Sequence, residues 1–320
     1  MTAAQNIEQK ITISELFGIP ESEMRKNPVI SIPGIDPQLE QYVPAIKAKH
    51  HFTMSYFRDL WEFQNSGHLD GCLFITGPKG VGKSSTVEQF YARLNKPVFK
   101  TTGHARLELS DLLGVMGLNK GETVYRYGPL TLAAKHGGVF IFDEADACPP
   151  EVLVGLHGIL EMGDKLLLPE NGGELIDIHP DFRVVVTGNT AGSGDYSGDY
   201  AGIVTQNSAT LDRFNFLEWG YPTLDVEFGI VLDAVPQMLK AQEFVLSLIK
   251  VAHQTREGGV EAISTRTLIR WVRKAAAFKG EPIKVSLDRA FAFRLDEEKR
   301  SEVYAVATTI LGQEAFYGQA

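Results

Sequence analysis

The sequence is poor in cysteine and has no long apolar run. Its two cysteines, Cys72 and Cys148, lie in apparently buried elements, so neither a disulfide framework nor zinc-ligand spacing is present. No stretch approaches the roughly 18 apolar residues that a membrane helix needs, and no basic segment followed by an apolar run marks a signal peptide. We therefore expect a reducing, cytoplasmic setting and no membrane partner.

Positive charge is also scarce. The 31 Lys and Arg residues are outnumbered by 40 Asp and Glu, and the formal net charge of −9 argues against a dedicated nucleic-acid-binding protein. Internal repeats and low-complexity segments are absent. Apolar residues make up 44% and charged residues 22%, the balance of an ordinary soluble globular protein, and 320 residues allow one large domain or two modest ones.

A glycine-rich stretch at residues 77–84 carries the first functional signal. It fits the phosphate-loop pattern G-x-x-x-x-G-K-S/T, and it lies between an apolar strand-like run and a helix-like run, as the motif requires. The N–H groups of such a turn form a nest for anionic phosphates at a helix start. Lys83 can reach the β- and γ-phosphates, and Ser84 can ligate Mg²⁺. The predicted nucleotide-binding residues are Gly77, Pro78, Lys79, Gly80, Val81, Gly82, Lys83, Ser84 and Ser85.

A second apolar run, at residues 139–142, ends in the acidic pair Asp143 and Glu144. Four consecutive apolar residues are typical of a parallel strand buried on both faces, and open α/β sheets bind ligands at the carboxyl edge of such strands. The pair is therefore predicted to complete a P-loop ATPase site, with Asp143 holding Mg²⁺ and Glu144 polarising the attacking water. The alternatives are an incidental lysine in a glycine turn at Lys83 and a solvated strand end here.

A third buried strand is predicted at residues 182–187. Asn189, just after it, could hydrogen-bond the γ-phosphate or its water, or could simply form a turn. The following loop contains Asp195 and Asp199, whose spacing differs from that of an EF-hand, so calcium binding is not favoured. Four histidines without metal-ligand spacing are expected to be structural, namely His104, His136, His157 and His179.

The hydrophobic period changes near residue 221, which predicts a domain boundary. Before it, strand-like and helix-like runs alternate, with hairpins predicted at residues 114–127 and 165–178. Helices predicted before the boundary include residues 11–17, 52–65, 149–161 and 207–212, and those after it are residues 224–232, 238–253, 265–278 and 297–311.

Three parts are expected from this pattern. Residues 1–48, with several prolines and extended apolar pairs, form an N-terminal arm that lies on this subunit or a neighbouring one, or else stays disordered. Residues 49–221 form an α/β nucleotide-binding domain with a parallel sheet. Residues 222–320 form a helical lid, long enough for a small bundle.

Taken together, the motifs resemble those of the AAA+ ATPases of the MoxR branch, and within that branch the small ATPase subunits of aerobic cobaltochelatases (CobS-like). The resemblance covers about residues 11–295, and its later motifs are far more specific than the phosphate loop. The residues that carry it are Phe17–Gly18–Ile19, His179–Pro180–x–Phe182–Arg183, Thr187–Gly188–Asn189–Thr190, Gly192–x–Gly194–Asp195–x–x–Gly198–x–Tyr200–x–Gly202 and Gln206–Asn207–x–Ala209–x–x–Asp212–Arg213.

The resemblance implies an AAA+ core with hairpin inserts, a helical lid and three further site residues. Asn189 would be sensor 1, Arg213 an arginine finger that reaches the neighbouring subunit's ATP, and Arg266 sensor 2 in the lid. A finger acting in trans suits a transition state that spreads negative charge, and it requires oligomerisation. A head-to-tail interface that closes gives a ring, for which the family suggests six subunits. The residues alone leave open that Arg213 pairs with Asp212 or another carboxylate, and that Arg266 caps or salt-bridges within the lid.

The resemblance also implies a function: a Mg²⁺-dependent ATP hydrolase that remodels a partner protein with a von Willebrand A-type domain. A MoxR-type activase of another metalloenzyme, a nucleic-acid-stimulated motor and a non-hydrolysing ATP-binding module are the alternatives. The two hairpins would face the ring's pore or the partner, although Tyr125 and Tyr127 could instead pack the first hairpin.

Overall fold

The computed structural model describes residues 9–66, 72–161, 163, 165–194 and 202–318. The chain forms two units, and the second takes in two short earlier segments as well as the C-terminal helices. The first unit consists of Met1–Lys47, Met54–Gly77 and Gly82–Trp219, and the second of Ala48–Thr53, Pro78–Val81 and Gly220–Ala320. The three-part division expected from the sequence stays a prediction.

The first unit holds the strands together with shorter helices. The strands are β1 (Gln9–Thr12), β2 (Val29–Ile32), β3 (Cys72–Thr76), β4 (Val98–Thr102), β5 (Gly114–Asn119), β6 (Glu122–Tyr127), β7 (Gly138–Asp143), β8 (Lys165–Leu168), β9 (Glu174–Asp177), β10 (Phe182–Thr187) and β11 (Phe214–Glu218). The helices are α1 (Ile13–Phe17), α2 (Met54–Asn65), α3 (Lys83–Arg93), α4 (Leu109–Leu113), α5 (Pro129–His136), α6 (Pro150–Val154), α7 (His157–Leu160) and α8 (Ser208–Leu211).

A five-stranded parallel sheet in the order β11–β3–β10–β7–β4 forms the centre of this unit. Val185 of β10 pairs with Leu73 of β3 on one side and with Ile141 of β7 on the other. Since all five strands are parallel, their carboxyl ends lie along one edge, where the phosphate loop follows β3 and Asn189 follows β10. The predicted α/β class is confirmed.

Large apolar side chains fill the space around the sheet. Phe74, Phe140, Phe142 and Phe182 are each at most 1% exposed, and burial of such a side chain contributes about 1.5–3 kcal/mol. Because the central strands are apolar on both faces, they cannot occupy an exposed edge without losing this contribution. The sequence pattern therefore fixes them inside the sheet.

The two predicted hairpins are present as the pairs β5–β6 and β8–β9. The Tyr127 hydroxyl donates to both carboxylate oxygens of Glu174, at 2.8 and 3.0 Å, which joins the first hairpin to the second. The rings of Tyr125 and Tyr127 also meet edge to face, with centroids 5.8 Å apart. Both tyrosines thus make packing contacts within the α/β unit.

The helix predicted over residues 11–17 is wrong at its start. Ile11 pairs with Ile30 in a small antiparallel sheet of β1 and β2, and α1 begins only at Ile13, after the Thr12 hydroxyl caps it. Phe17 is 1% exposed and packs on Phe57 and Phe90 at centroid distances of 4.9 and 5.2 Å. The described part of the arm therefore packs on the chain's own α/β unit.

The single helix predicted over residues 149–161 is also wrong, because it divides into α6 and α7. Gly155 interrupts it, and a Cβ at this position would lie 2.6 Å from the Leu109 side chain. A larger residue at position 155 would have to displace the end of the Leu109 side chain, and glycine is the weakest helix former after proline.

The second unit is helical. Its helices are α9 (Leu224–Ala234), α10 (Gln242–Glu257), α11 (Thr265–Ala277), α12 (Ile283–Ala290), α13 (Glu297–Leu311) and α14 (Gln313–Tyr317). The predicted start of α10 at residue 238 is wrong because Pro236–Met238 forms a 3-10 turn, and α12 was not predicted. Trp271, Leu248 and Leu287 are fully buried in the core of the helical unit.

A buried ion cluster lies within the helical unit. Glu227 is 0% exposed and accepts two hydrogen bonds from the Arg256 guanidinium, both at 2.8 Å. The Thr265 hydroxyl donates to the same carboxylate at 2.6 Å, and His253 Nε2 lies 2.9 Å from it.

Of the helices in the described ranges, none combines the length and apolar character required to cross a membrane.

Candidate active site

The phosphate loop joins β3 to α3. Gly77, Gly80 and Gly82 have φ values of 141°, 80° and 97°, a region open mainly to glycine. At Gly77 a Cβ would lie 2.0 Å from the Trp219 carbonyl oxygen, so no other residue fits. The loop leads into the 11-residue helix α3 at Lys83, so the free N–H groups of its first turn form an anion-binding helix start.

Lys83 connects this loop to the end of β10. Its Nζ donates to the Gly77 carbonyl at 2.6 Å and to Asn189 Oδ1 at 3.2 Å, and the residue is only 9% exposed. The strands β3 and β10 are direct neighbours, which explains why residues 106 positions apart meet. The ammonium group and the amide thus share one end of the sheet.

Asp143, the last residue of β7, lies beside the loop. Its Oδ1 accepts hydrogen bonds from the hydroxyls of Ser84 and of Thr187, the latter at 2.5 Å, while Lys100 Nζ lies 2.8 Å from Oδ2. Burial alone raises the pKa of Asp143, but the hydrogen bonds from Lys100, Ser84 and Thr187 outweigh it and hold the pKa below its ordinary value. The carboxylate is therefore ionised at neutral pH.

Lys100 is a site residue that the sequence did not reveal. It lies on β4, which pairs with β7, and its Nζ bridges Asp143 and Glu88, the latter at 2.9 Å. Burial alone lowers the pKa of Lys100, but its contacts with the two carboxylates raise it above the ordinary value. In the sequence it is a lone lysine within the residues that form β4, which carries no functional signature.

Glu144 turns away from the strand that precedes it. Its φ of 52° lies in the left-handed region, which is uncommon for a residue with a Cβ, and its side chain is exposed. The Gly103 N–H donates to the Asp143 carbonyl at 2.7 Å, and a Cβ at Gly103 would lie 2.2 Å from the Glu144 carbonyl oxygen. The end of β4 thus fixes the turn that presents Glu144.

Arg213 and Arg266 occupy different surroundings. Arg213 donates to the carboxylate of Glu161 at 2.5 and 3.0 Å, and this bond and charge hold the pKa of Glu161 below its ordinary value. Arg266 is exposed in the first turn of α11, and its side chain has no hydrogen bond or ion pair with a described residue. Within the helical unit its Cβ lies 3.6 Å from where a Cβ on Gly80 of the phosphate loop would be.

Asp195 and Asp199, which the sequence analysis considered for calcium binding, lie outside the described residues. Two predicted histidines make ordinary polar contacts: His157 Nε2 is 2.6 Å from the Thr210 hydroxyl, and His179 Nδ1 accepts from the Asp181 N–H at 3.0 Å.

Residues 72–214 match a family model described as AAA domain (dynein-related subfamily). The chain is 32% identical over 235 residues to the aerobic cobaltochelatase subunit CobS of Sinorhizobium sp, covering 70% of this chain and 68% of that one. It is 30% identical over 199 residues to protein CbbQ of Hydrogenophilus thermoluteolus (62% and 71% covered) and 29% identical over 224 residues to protein NorQ of Paracoccus denitrificans (69% and 71% covered).

The parallel sheet with its phosphate loop and the AAA family match define an ATP-hydrolysing protein. The chain belongs to the MoxR branch of the AAA+ ATPases, which confirms the resemblance drawn from its motifs.

Proposed function

We propose that this ATPase is a Mg²⁺-dependent motor subunit that assembles into a ring, six-membered as the resemblance suggests, and remodels a partner protein. The observation that carries the proposal is a pair of contacts: Lys83 to Asn189, and Ser84 to Asp143. They bring the phosphate loop together with the ends of two neighbouring strands. A triphosphate on this loop is therefore flanked by a lysine, an amide and an acid.

The donor set suits Mg²⁺, which prefers hard oxygen ligands. The Ser84 hydroxyl and the Asp143 carboxylate are in direct contact, and the low pKa of Asp143 keeps that carboxylate charged. These two residues would hold the ion. When bound, Mg²⁺ neutralises charge on the phosphates as the terminal phosphoryl group leaves.

The other roles follow from charge and position. The loop N–H groups and Lys83 bind the phosphates, and Asn189 orients the γ-phosphate or the attacking water. Glu144 carries the free carboxylate nearest to Asp143 in the chain and acts as the base that polarises that water. Arg266, whose Cβ lies beside Gly80, serves as sensor 2.

Arg213 acts in trans in this proposal. In the single chain its guanidinium is held by Glu161 and is 28% exposed, so it can exchange this surface carboxylate for the phosphates of a neighbouring subunit. Exposed ion pairs are weak, typically below about 1 kcal/mol, and the exchange therefore costs little.

The partner is assigned by resemblance. The name of the relative CobS, a cobaltochelatase subunit, supports a metal-chelating assembly as the client, and the resemblance implies a partner with a von Willebrand A-type domain. Activation of another metalloenzyme is the alternative client for the same motor. The net charge of −9 disfavours nucleic acid.

The chemistry is tested by replacing one group at a time. Glu144→Gln should bind ATP with wild-type affinity but lose turnover about 10²–10⁴-fold, because only the base is removed. Lys83→Ala should lose ATP binding, measured by titration with a fluorescent ATP analogue. Wild-type turnover in Glu144→Gln would remove the base role, and wild-type affinity in Lys83→Ala would overturn the phosphate-loop site.

The ring is tested by mixing variants. Arg213→Ala should bind ATP without hydrolysing it, and adding Glu144→Gln subunits should restore part of the turnover, because each can supply the group that the other lacks. The matched control adds the double variant Arg213→Ala/Glu144→Gln, which has no finger to offer. Equal activity in both mixtures contradicts action in trans, and stimulation by DNA or RNA would favour a nucleic-acid motor.

A further inference from the structure

Asp146 is a buried acid in the turn after β7. It is 1% exposed, and its Oδ2 accepts hydrogen bonds from the backbone N–H groups of Asn189 and Thr190 at 2.7 and 3.0 Å. The Thr190 hydroxyl lies 3.4 Å from the same oxygen. Among the described residues, none donates to Oδ1 and no cationic side chain is paired with the carboxylate.

This arrangement needs an explanation because burying a carboxylate without a cation is unfavourable. Two consecutive amides directed at one oxygen fix the peptide plane between them, which neither a water molecule nor a mobile side chain would do as firmly. The backbone carbonyl of Asp146 also accepts the Val204 N–H at 2.9 Å, so the turn itself is anchored. The Asp146 carboxylate therefore links the turn after Glu144 to the chain segment after β10 through fixed hydrogen bonds.

We propose that Asp146 is a positioning residue for ATP hydrolysis, acting through the backbone of Asn189. By holding the Asn189 and Thr190 amides, it sets the Asn189 side chain against Lys83, at 3.2 Å. It thereby couples the turn that presents Glu144 to the residue that reads the γ-phosphate. The inference rests on the role proposed for Asn189.

A positioning role predicts a specific kinetic signature. Asp146→Ala should lower kcat by about 10- to 100-fold, since a displacement of about 1 Å near the reacting atoms has effects of this size. ATP affinity should stay within about 2-fold, because the phosphate loop is untouched. Asp146→Asn keeps an oxygen acceptor for the two amides and should recover kcat to within about 3-fold of wild type. An asparagine variant as slow as the alanine variant would show that charge matters rather than the anchor, and would overturn the proposal.

A double-mutant cycle separates this role from simple destabilisation. In an Asn189→Ala background, Asp146→Ala should lower kcat less than about 2-fold further. The same 10- to 100-fold loss in both backgrounds would mean that Asp146 does not act through Asn189. If Asn189→Ala alone leaves kcat unchanged, it is the proposed role of Asn189 that fails.

Gln206→Ala is the matched control. Gln206 is buried, and its side-chain amide donates to the carbonyls of Cys148 and Val204 rather than to Asn189. Its loss should therefore lower thermal stability but leave kcat within about 2-fold. A kcat loss in Gln206→Ala equal to that in Asp146→Ala would assign the effect to loop stability. If Asp146→Ala does not fold, Asp146→Glu, which keeps the charge but moves the oxygen, takes its place in the cycle with at least about a 5-fold loss expected.

Discussion

The two units each bury carboxylates but neutralise them in different ways. In the helical unit Glu227 is sealed from solvent and bound by Arg256, His253 and Thr265. In the α/β unit Asp143 and Asp146 are held mainly by hydroxyl and backbone N–H groups, and one partly exposed lysine, 34% exposed, contacts Asp143.

The difference follows from what each acid can do. A carboxylate bound bidentately by a guanidinium in a closed core cannot exchange partners without opening that core, so Glu227 can only stabilise the fold. Hydroxyl groups and a partly exposed lysine can be displaced by an incoming ligand. Asp143, at the edge of the sheet, is therefore available for chemistry.

The largest expected effect is on the sealed acid. Glu227→Ala leaves the Arg256 guanidinium, whose side chain is 6% exposed, without its counter-charge, and should lower the free energy of unfolding by about 3–5 kcal/mol. Urea denaturation followed by circular dichroism measures the loss. Glu243→Ala, at an exposed position on α10, is the control and should stay within about 0.5 kcal/mol of wild type. Equal losses of unfolding free energy in the two variants would show that Glu227 has no special structural role.

Asp143→Asn should affect ATP turnover far more than stability. The amide oxygen can still accept from Ser84 and Thr187, so the free energy of unfolding should fall by only about 2 kcal/mol while ATP turnover is lost. Parallel denaturation and phosphate-release assays measure the two effects. Asp177→Asn, 84% exposed on β9, should change neither. A stability loss as large as that of Glu227→Ala would make Asp143 a structural acid as well.

Thr265→Val tests whether the cluster around Glu227 is shared among its donors. Removing the hydroxyl that donates at 2.6 Å should lower the free energy of unfolding by about 1 kcal/mol. Thr265→Ser keeps the donor and should lose less. If the valine variant is as stable as wild type, the guanidinium alone neutralises the acid.

The smallest effect belongs to an exposed acid of the helical unit. Hydrogen bonds from Lys49 and His51 hold the pKa of Asp233 below its ordinary value of about 3.9. Its stabilisation is therefore present above about pH 4 and is lost as the pH falls through the lowered pKa. Asp233→Asn should cost a few tenths of a kcal/mol at pH 7, and this cost should shrink as the pH falls through the lowered pKa of Asp233. A difference that grows as the pH falls would reverse this assignment.

Local signals predicted much of this fold. The bounds of β3 follow from an uninterrupted apolar run, and those of β10 from a mainly apolar run that contains Arg183. Those of α13 follow from its helical period and from Asp296, which caps its first turn. The pairing of β1 with β2 and the short helix α12 depend on tertiary contacts that a window of sequence does not contain. The break between α6 and α7 falls at Gly155, which lies against Leu109, 46 positions earlier, a contact that local sequence does not contain.

The site divides in the same way. The phosphate loop follows β3 and Asp143 ends β7, and both strands pair with β10, so Ser84 and Asp143 meet at the carboxyl edge of the sheet, as the motifs predict. Lys100, Thr187 and Asp146 reach the same place through strand register and the geometry of one turn. Their residue types carry no signature of this, since a lysine or a threonine in a strand and an aspartate in a turn are common.

The left-handed backbone at Glu144 affects how an inactive variant should be built. A side chain with a Cβ costs about 1–2 kcal/mol in this conformation, whereas glycine adopts it freely and asparagine nearly so. Exchanging Glu144 for glycine or asparagine would therefore raise the melting temperature by relieving backbone strain. In a thermal-shift assay this increase would be mistaken for stabilisation by bound nucleotide. Glutamine has the same backbone cost as glutamate in this conformation and leaves the melting temperature free of this effect. Substrate-trapping experiments on this enzyme should therefore use Glu144→Gln.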